Sequence, residues 1–210
     1  HEIDKLNDMV FEIVTNFVVG RSDTIDELMK DGYEAVFVGS GAGLPNFMNL
    51  PGENLKGVFS ANEFLTRYNL MKAYDENSQT PIAHPKKTVV VGGGNVAMDA
   101  ARCARRLGSE VHVVYRRSLE ELPARKEEVE HAMEEGIIFD LLNNPVAVHG
   151  DEDGNVTAVE CIQMELGEPD ESGRRRPIAK EGSNFTIDAD CMIMAIGTSP
   201  NPLIRTTTPG

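Results

Sequence analysis

From Thr88 to Gly108 the chain reads T-V-V-V-G-G-G-N-V-A-M-D-A-A-R-C-A-R-R-L-G, with Gly92, Gly94 and Ala97 in the spacing G-x-G-x-x-A. That spacing suits a pyrophosphate. Glycine at 92 permits a tight turn out of a strand, glycine at 94 lets backbone approach the phosphates, and the small Ala97 lets a helix pack against the sheet. The helix start around Asn95, Val96 and Ala97 offers N–H groups and the positive end of the helix dipole. A glycine pattern alone is a weak signal. Here the loop, Gly93 included, follows an apolar strand pattern and precedes a helix pattern carrying Ala100, Ala101 and Ala104, and a second strand comes next.

The end of that second strand selects the nucleotide. About 20 residues past the glycines an NAD site offers an acid to the ribose 2′-hydroxyl, whereas an NADP site offers arginine to the 2′-phosphate. This chain has V-H-V-V-Y-R-R-S, ending in Tyr115, Arg116, Arg117 and Ser118, with no acid at the tip. A carboxylate would repel the phosphate, and guanidinium groups can grip it bidentately. NADPH is the expected ligand. Arg125, in the nearby P-A-R turn, either assists or lies on the surface.

Other reactive residue types form no constellation. His84, His112, His131 and His149 have no metal-ligand spacing and no plausible serine partner, Asp99 reads as an ordinary helix residue, and no metal ligands are expected. Cys103, Cys161 and Cys191 are widely spaced and read as small buried hydrophobes of a reducing compartment. The run Arg174 to Arg176 sits in a Gly/Pro-rich stretch and is expected to be a solvated loop tip. No catalytic acid or base is expected, because hydride transfer needs only two juxtaposed cofactors.

The elements that must position these residues follow from periodicity. Strands are expected at Val89 to Val91, Glu110 to Tyr115 and Ile137 to Leu142, alternating with helices at Asn95 to Leu107 and about Ala124 to Glu135. Such alternation implies a parallel sheet. Past Asn143, short strands at Val146 to His149, Val156 to Met164 and Phe185 to Ile187 read as an antiparallel meander, before a doubly buried strand at Cys191 to Ile196. Upstream, Phe11 to Val19 reads as a strand or hairpin. Ser22 or Asp23 caps a helix over Thr24 to Lys30, and Ala35 to Val38 reads as a buried strand. Ser60 caps a helix over Ala61 to Ala73, with Glu63 placed for a capping box, and Asp75 to Pro85 is a linker. One echo stands out: E-A-V-F-V-G-S-G-A-G-L-P-N from Glu34 and D-C-M-I-M-A-I-G-T-S-P-N from Asp190 each run through an apolar strand to glycine and then Pro-Asn. They read as paired crossings bracketing an inserted domain.

The fold class is therefore α/β, a Rossmann-like three-layer dinucleotide-binding domain with a parallel sheet and an antiparallel meander crossover. Thirty-four acidic against twenty basic residues give a formal charge of −14, which argues against a nucleic-acid partner. No run nears the roughly 18 apolar residues of a membrane span and no signal-like start is present, so a cytoplasmic protein is expected. The non-methionine start and the unstructured T-T-T-P-G end read as those of an excised piece.

Together, V-F-V-G-S-G-A-G-L-P-N-F-M-N-L-P-G-E-N-L-K-G-V-F-S-A-N-E-F-L, V-V-V-G-G-G-N-V-A-M-D-A-A-R, V-Y-R-R-S with E-L-P-A-R-K-E-E-V, and A-I-G-T-S-P-N resemble the small (beta) subunit family of NADPH-dependent glutamate synthase. Similar proteins include sulfide dehydrogenase and ferredoxin:NADP oxidoreductase subunits and part of dihydropyrimidine dehydrogenase. The resemblance implies an NADPH domain inserted into an FAD domain behind an iron–sulfur segment. Residues 1–58 then belong to a partial FAD domain, 59–196 to the NADPH domain with its Rossmann core from about 86, and 197–210 to the return toward FAD. It further implies NADPH contacts at Gly92 to Ala97, Arg116 and Arg117, with Ala195, Ile196 and Gly197 beside them. Flavin-side contacts fall at Gly41, Gly43 and Pro45 and from Gly197 to Asn201. FAD and iron–sulfur clusters would belong to the parent protein, the clusters outside this chain, with a large glutamate synthase subunit as partner. Two rivals remain, a non-catalytic nucleotide-sensing module and a methyltransferase, the second disfavoured by arginines where an acid usually meets ribose.

With no second glycine fingerprint upstream and no clustered cysteines, the isolated chain should purify colourless. An absorption spectrum with stoichiometric flavin bands would contradict this.

Overall fold

The computed structural model describes residues 12–169 and 173–208. Two compact units are present, one of residues 45–199 and one of residues 1–44 and 200–210.

Numbered in chain order after the two-residue β1 (Leu44–Pro45), the strands β2 (Val58–Ser60), β3 (Lys87–Val91), β4 (Glu110–Tyr115), β5 (Ile138–Leu141) and β10 (Cys191–Met194) of the larger unit form a parallel sheet in the order β2-β10-β3-β4-β5. Side chains alternate across it, as the period of two demands. Val90, Val111, Val113, Cys191 and Ile193 meet the helices α2 (Ala61–Leu65), α3 (Asn95–Arg106) and α4 (Lys126–Glu134) in one core. Val89, Val91, Val114, Met192 and Met194 meet a second core under the meander of β6 (Asn143–Gly150), β7 (Val156–Pro169), β8 (Arg175–Ala179) and β9 (Phe185–Asp188). Covering both faces explains why β3 and β10 are continuous apolar runs rather than alternating ones. Each fully buried valine or isoleucine adds roughly 1.5–3 kcal/mol. The three-layer fold matches the expectation.

The meander carries the chain from the edge strand β5 to β10 in the middle of the sheet, pairing β6, β8 and β9 antiparallel with the long β7. At the hand-over, Leu142 takes the left-handed conformation (φ 57°). Its N–H donates to the Arg117 carbonyl (3.1 Å), and its own carbonyl accepts from Met164 N–H (2.7 Å). The opposite end of the sheet is closed by Asp190, whose carboxylate accepts the Lys86 and Lys87 N–H groups at 2.9 Å each.

Several boundaries differ from expectation, each for a local reason. α4 begins at Lys126 rather than Ala124, because the Ala124 N–H donates to the Gly93 carbonyl (3.0 Å) and the Arg125 N–H to Asn95 Oδ1 (2.9 Å), which holds both out of the helix. Ser60 caps α2, but Glu63 completes no capping box, since its carboxylate pairs with Arg67 (2.8 Å). The helix then widens into a π-helical turn, Thr66–Leu70, and stops before Lys72 at φ 50°. The stretch Arg174 to Arg176 is not simply a loop tip, because Arg175–Ala179 pairs with β7.

In the smaller unit, Thr24 rather than Ser22 or Asp23 caps α1 (Ile25–Lys30), in a capping box with Glu27. Ser22 instead accepts the Val18 N–H (3.2 Å). A second short helix, α5 (Leu203–Thr207), packs by Thr207 and Leu203 beside Gly20, where φ is +90° and a Cβ would meet the Thr207 hydroxyl at 2.6 Å. The expected strand at Ala35 to Val38 is absent: Val36, Phe37 and Val38 lie in coil, with Phe37 96% exposed. An apolar run becomes a strand only where another strand supplies ladder partners, and none does among the described residues of this unit. Of Phe11 to Val19, Phe11 lies outside the described residues and the rest is coil, bent at Asn16 (φ 58°).

All three cysteines are buried and free. Burial pushes the thiols up, to about 11 for Cys103 and about 12 for Cys161 and Cys191. At about pH 8 they should react with DTNB only once denaturant opens the cores, because the thiolate is the nucleophile. Fast labelling of the folded chain would contradict this packing.

Candidate nucleotide-binding cleft

The carboxyl ends of β10, β3 and β4 are stitched in sequence, Ala195 N–H to the Val91 carbonyl (2.8 Å) and Gly92 N–H to the Val114 carbonyl (3.1 Å). Above them opens a cleft of about 680 Å³ within the larger unit. Its wall includes Gly92, Gly93, Gly94, Asn95, Val96, Arg116, Arg117, Ala195, Ile196 and Gly197. Residues read from three separate stretches of sequence therefore meet at one place, the carboxyl edge where open α/β sheets bind ligands.

Each glycine of the loop has its own steric reason. Gly92 has φ +140°, and a Cβ there would stand 2.3 Å from the Ala195 carbonyl oxygen, so the loop can cross β10 only as glycine. A Cβ at Gly93 would strike Tyr115 and Leu122, at 2.8 and 2.7 Å. Gly94 is different: it is the N-cap of α3, and nothing lies within 4 Å of its Cβ position. That open space over the first turn is what an approaching phosphate needs. Ala97 is fully buried under the loop, in the core.

Arg116 is exposed at the tip of β4, whereas Arg117 is 9% exposed. Among the described residues neither pairs with a carboxylate and no Asp or Glu lines the cleft. Arg117 is held at both ends, its carbonyl by Leu142 and its Nε by donation to the Arg175 carbonyl (2.9 Å). Ser118 does not line the cleft. Its hydroxyl bonds Glu121 Oε2 (3.1 Å) and accepts from Arg175 (3.3 Å). Arg125 is exposed and also outside the lining; its backbone N–H, not its guanidinium, ties it to Asn95. Gly41, Gly43 and Pro45 are not part of this cleft, and Gly41 and Gly43 have open space at their Cβ positions. Within the larger unit, the Asn46 N–H donates to the Gly197 carbonyl (3.1 Å), and the Ser199 hydroxyl donates to Asn46 Oδ1 (2.8 Å). The two Pro-Asn loops singled out in the sequence thus touch.

Sequence reasoning missed Met48, Pro123, Asn143, Asn144, Pro145 and Arg174 in the wall. Asn143 to Pro145 come from the β5–β6 bend, and nothing in N-N-P announces a cleft. Arg174 belongs to a run that was visible but whose place was not. Among the described residues no group of three or more His, Cys, Asp or Glu could hold a metal, and no helix is long and apolar enough to cross a membrane.

This fold and loop define a dinucleotide-binding reductase class, and comparison with known proteins identifies it. The family model of the pyridine nucleotide-disulphide oxidoreductases matches residues 2–208, and the chain belongs to this family of NAD(P)H-dependent flavoproteins. It is 41% identical over 199 residues to the NADP(+)-dependent formate dehydrogenase subunit beta of Moorella thermoacetica, covering 93% of this chain and 27% of that one. Over 203 residues it is 40% identical to the NADPH-Fe(3+) oxidoreductase subunit beta of Geobacter sulfurreducens (95% and 29% covered). The glutamate synthase [NADPH] small chain of Escherichia coli is 36% identical over 197 residues (92% and 42%). The chain thus spans between 27% and 42% of these relatives' lengths. FprA from Mycobacterium tuberculosis shares the fold, with a TM-score of 0.72 at 21% identity over 87% of this chain and 54% of that one.

The contrast between Gly92 and Gly94 is testable by urea unfolding. Gly92→Ala should cost at least about 2 kcal/mol, from left-handed strain plus overlap with backbone. Gly94→Ala should stay within about 1 kcal/mol of the parent. Equal losses would contradict the crossing described here.

Proposed function

We propose that the cleft binds NADPH and that the whole protein passes its hydride to FAD. The observation that carries this is the pairing of Arg116 and Arg117 with the open first turn of α3 in one cleft that no Asp or Glu lines among the described residues. Gly94, Asn95 and Val96 would take the pyrophosphate, because first-turn N–H groups have no partner within their own helix. Arg116 and Arg117 would take the 2′-phosphate, leaving Ala195, Ile196 and Gly197 to wall the nicotinamide end. Ser118 and Arg125 would support this end through the turns they anchor.

The protein's contribution to the reaction is placement and dryness rather than acid–base chemistry. FAD, when bound, supplies the hydride acceptor; Gly41, Gly43, Pro45 and the loop from Gly197 to Asn201 are the residues proposed to meet it. On this reading residues 1–58 and 197–210 belong to the FAD domain and 59–196 to the NADPH domain. Iron–sulfur clusters would lie elsewhere in the protein.

Glutamate formation with a large synthase subunit is the destination that the sequence resemblance favours, and the 36% identity to a glutamate synthase small chain supports it. Relatives named for formate and Fe(3+) chemistry match the same stretch at 40–41% identity. The final acceptor is therefore a property of the partner rather than of this cleft.

Titration of NADPH and NADH against the full chain and its Arg116→Ala variant tests the assignment. One charge-assisted contact contributes roughly 1.5–3 kcal/mol, so the variant should bind NADPH about 10- to 100-fold more weakly. NADH affinity should barely change. Equal affinities of the parent for the two nucleotides would refute the reading.

A further inference from the structure

The run Arg174, Arg175 and Arg176 leaves the β7–β8 hairpin, in a different sheet from the glycine loop. Its three members nonetheless have three different fates. Arg174 joins Arg116 and Arg117 in the wall of the cleft. Arg176 is exposed. Arg175 is locked to the turn that follows β4: its backbone N–H and its Nε each donate to Glu121 Oε1 at 3.2 Å, and its Nη2 donates to Ser118 Oγ at 3.3 Å. In return its carbonyl accepts from Arg117 Nε (2.9 Å).

Glu121 is the hub of this lock. Its side chain is 13% exposed, and its second oxygen accepts the Ser118 N–H (3.4 Å) and hydroxyl (3.1 Å). Burial works against its charged form, yet the bonds from Arg175 and Ser118 outweigh that and hold the carboxyl below its usual range. Tyr115 fixes the same turn through its hydroxyl, which donates to the Glu121 carbonyl (2.9 Å). The residue next to Arg175 is thereby delivered to the cleft. Arg174 thereby shares one wall with Arg116 and Arg117, the cations assigned to the 2′-phosphate.

We propose that Arg174 is a third cation for the 2′-phosphate, and that Glu121 is a positioning residue that sets it there through Arg175. The inference rests on the NADPH reading of the cleft and deepens it: the meander is part of the specificity device, not merely a lid over the sheet.

The test uses the full chain with two probes, adenosine 2′,5′-bisphosphate and adenosine 5′-monophosphate, by isothermal titration. Arg174→Ala should weaken the bisphosphate about 10-fold or more while the monophosphate stays within about 2-fold. Arg174→Lys should recover most of the loss by keeping the charge. Glu121→Gln should lower bisphosphate affinity in the parent but add little in the Arg174→Ala background, since residues acting through one another are non-additive. Thermal melts of each variant check that it is folded.

Full additivity of Glu121→Gln would overturn the positioning role. If Arg116→Ala is selective for the bisphosphate but Arg174→Ala is not, the third-cation inference falls and the NADPH reading stands. If neither is selective, the NADPH reading itself falls, and this inference with it.

Discussion

The crossing of the glycine loop over the end of β10 is the contact on which the cleft depends. Gly92 passes so close to the Ala195 carbonyl that a single added carbon would sit 2.3 Å from it. This approach is possible only because β10 is inserted beside β3 in parallel register, Met194 opposite Val91. Parallel pairing brings two carboxyl ends, about a hundred residues apart in sequence, to the same edge. The loop then has one way out, upward over the sheet and into α3, whose first turn is left open at Gly94.

From that edge the rest of the site is built by bonds that run sideways. Gly93 and Asn95 hold the chain before α4, through Ala124 and Arg125. Leu142, in a conformation that non-glycine residues seldom adopt, turns the chain from the parallel sheet into the meander while holding the Arg117 carbonyl. Such strain persists only where the surroundings over-determine it, and here the Arg117 carbonyl and the Met164 N–H hold the backbone of Leu142 on both sides. Arg117 is therefore held at its carbonyl and at its Nε, while Arg116 stays exposed.

The charge distribution reinforces this arrangement. In an acidic chain the cleft wall carries arginines and, among the described residues, no carboxylate, while carboxylates such as Glu135 and Glu110 are occupied elsewhere by Arg102 and Arg106 or by Lys87. A positive recess in a negative surface focuses the field on an incoming polyanion and discourages binding of anions elsewhere.

How much of this was legible beforehand depended on distance along the chain. The glycine loop, β3, α3, β4 and the arginine tip were readable because the turn, the helix start and the strand period are all encoded within a few residues of one another. The start of α4 was misread by two residues because its leading N–H groups are claimed by Gly93 and Asn95, some thirty positions upstream. The continuous apolar run Ala35 to Val38, bounded by Gly39, has the pattern of a buried strand, but pairing is a property of neighbours, and Phe37 stands exposed. The arginine run carries no local mark of its role. It lies in a Gly/Pro-rich stretch like many solvated loops, and only the antiparallel pairing of β8 with β7 and the Glu121 carboxylate, 54 residues away, assign one arginine to the cleft and the next to the lock. The sequence by itself determined the class of ligand, since steric permission at glycine and charge at the strand tip are local properties. Only the tertiary structure decided which distant side chains share that cleft, because that choice rests on register and on hydrogen bonds between segments no local pattern relates.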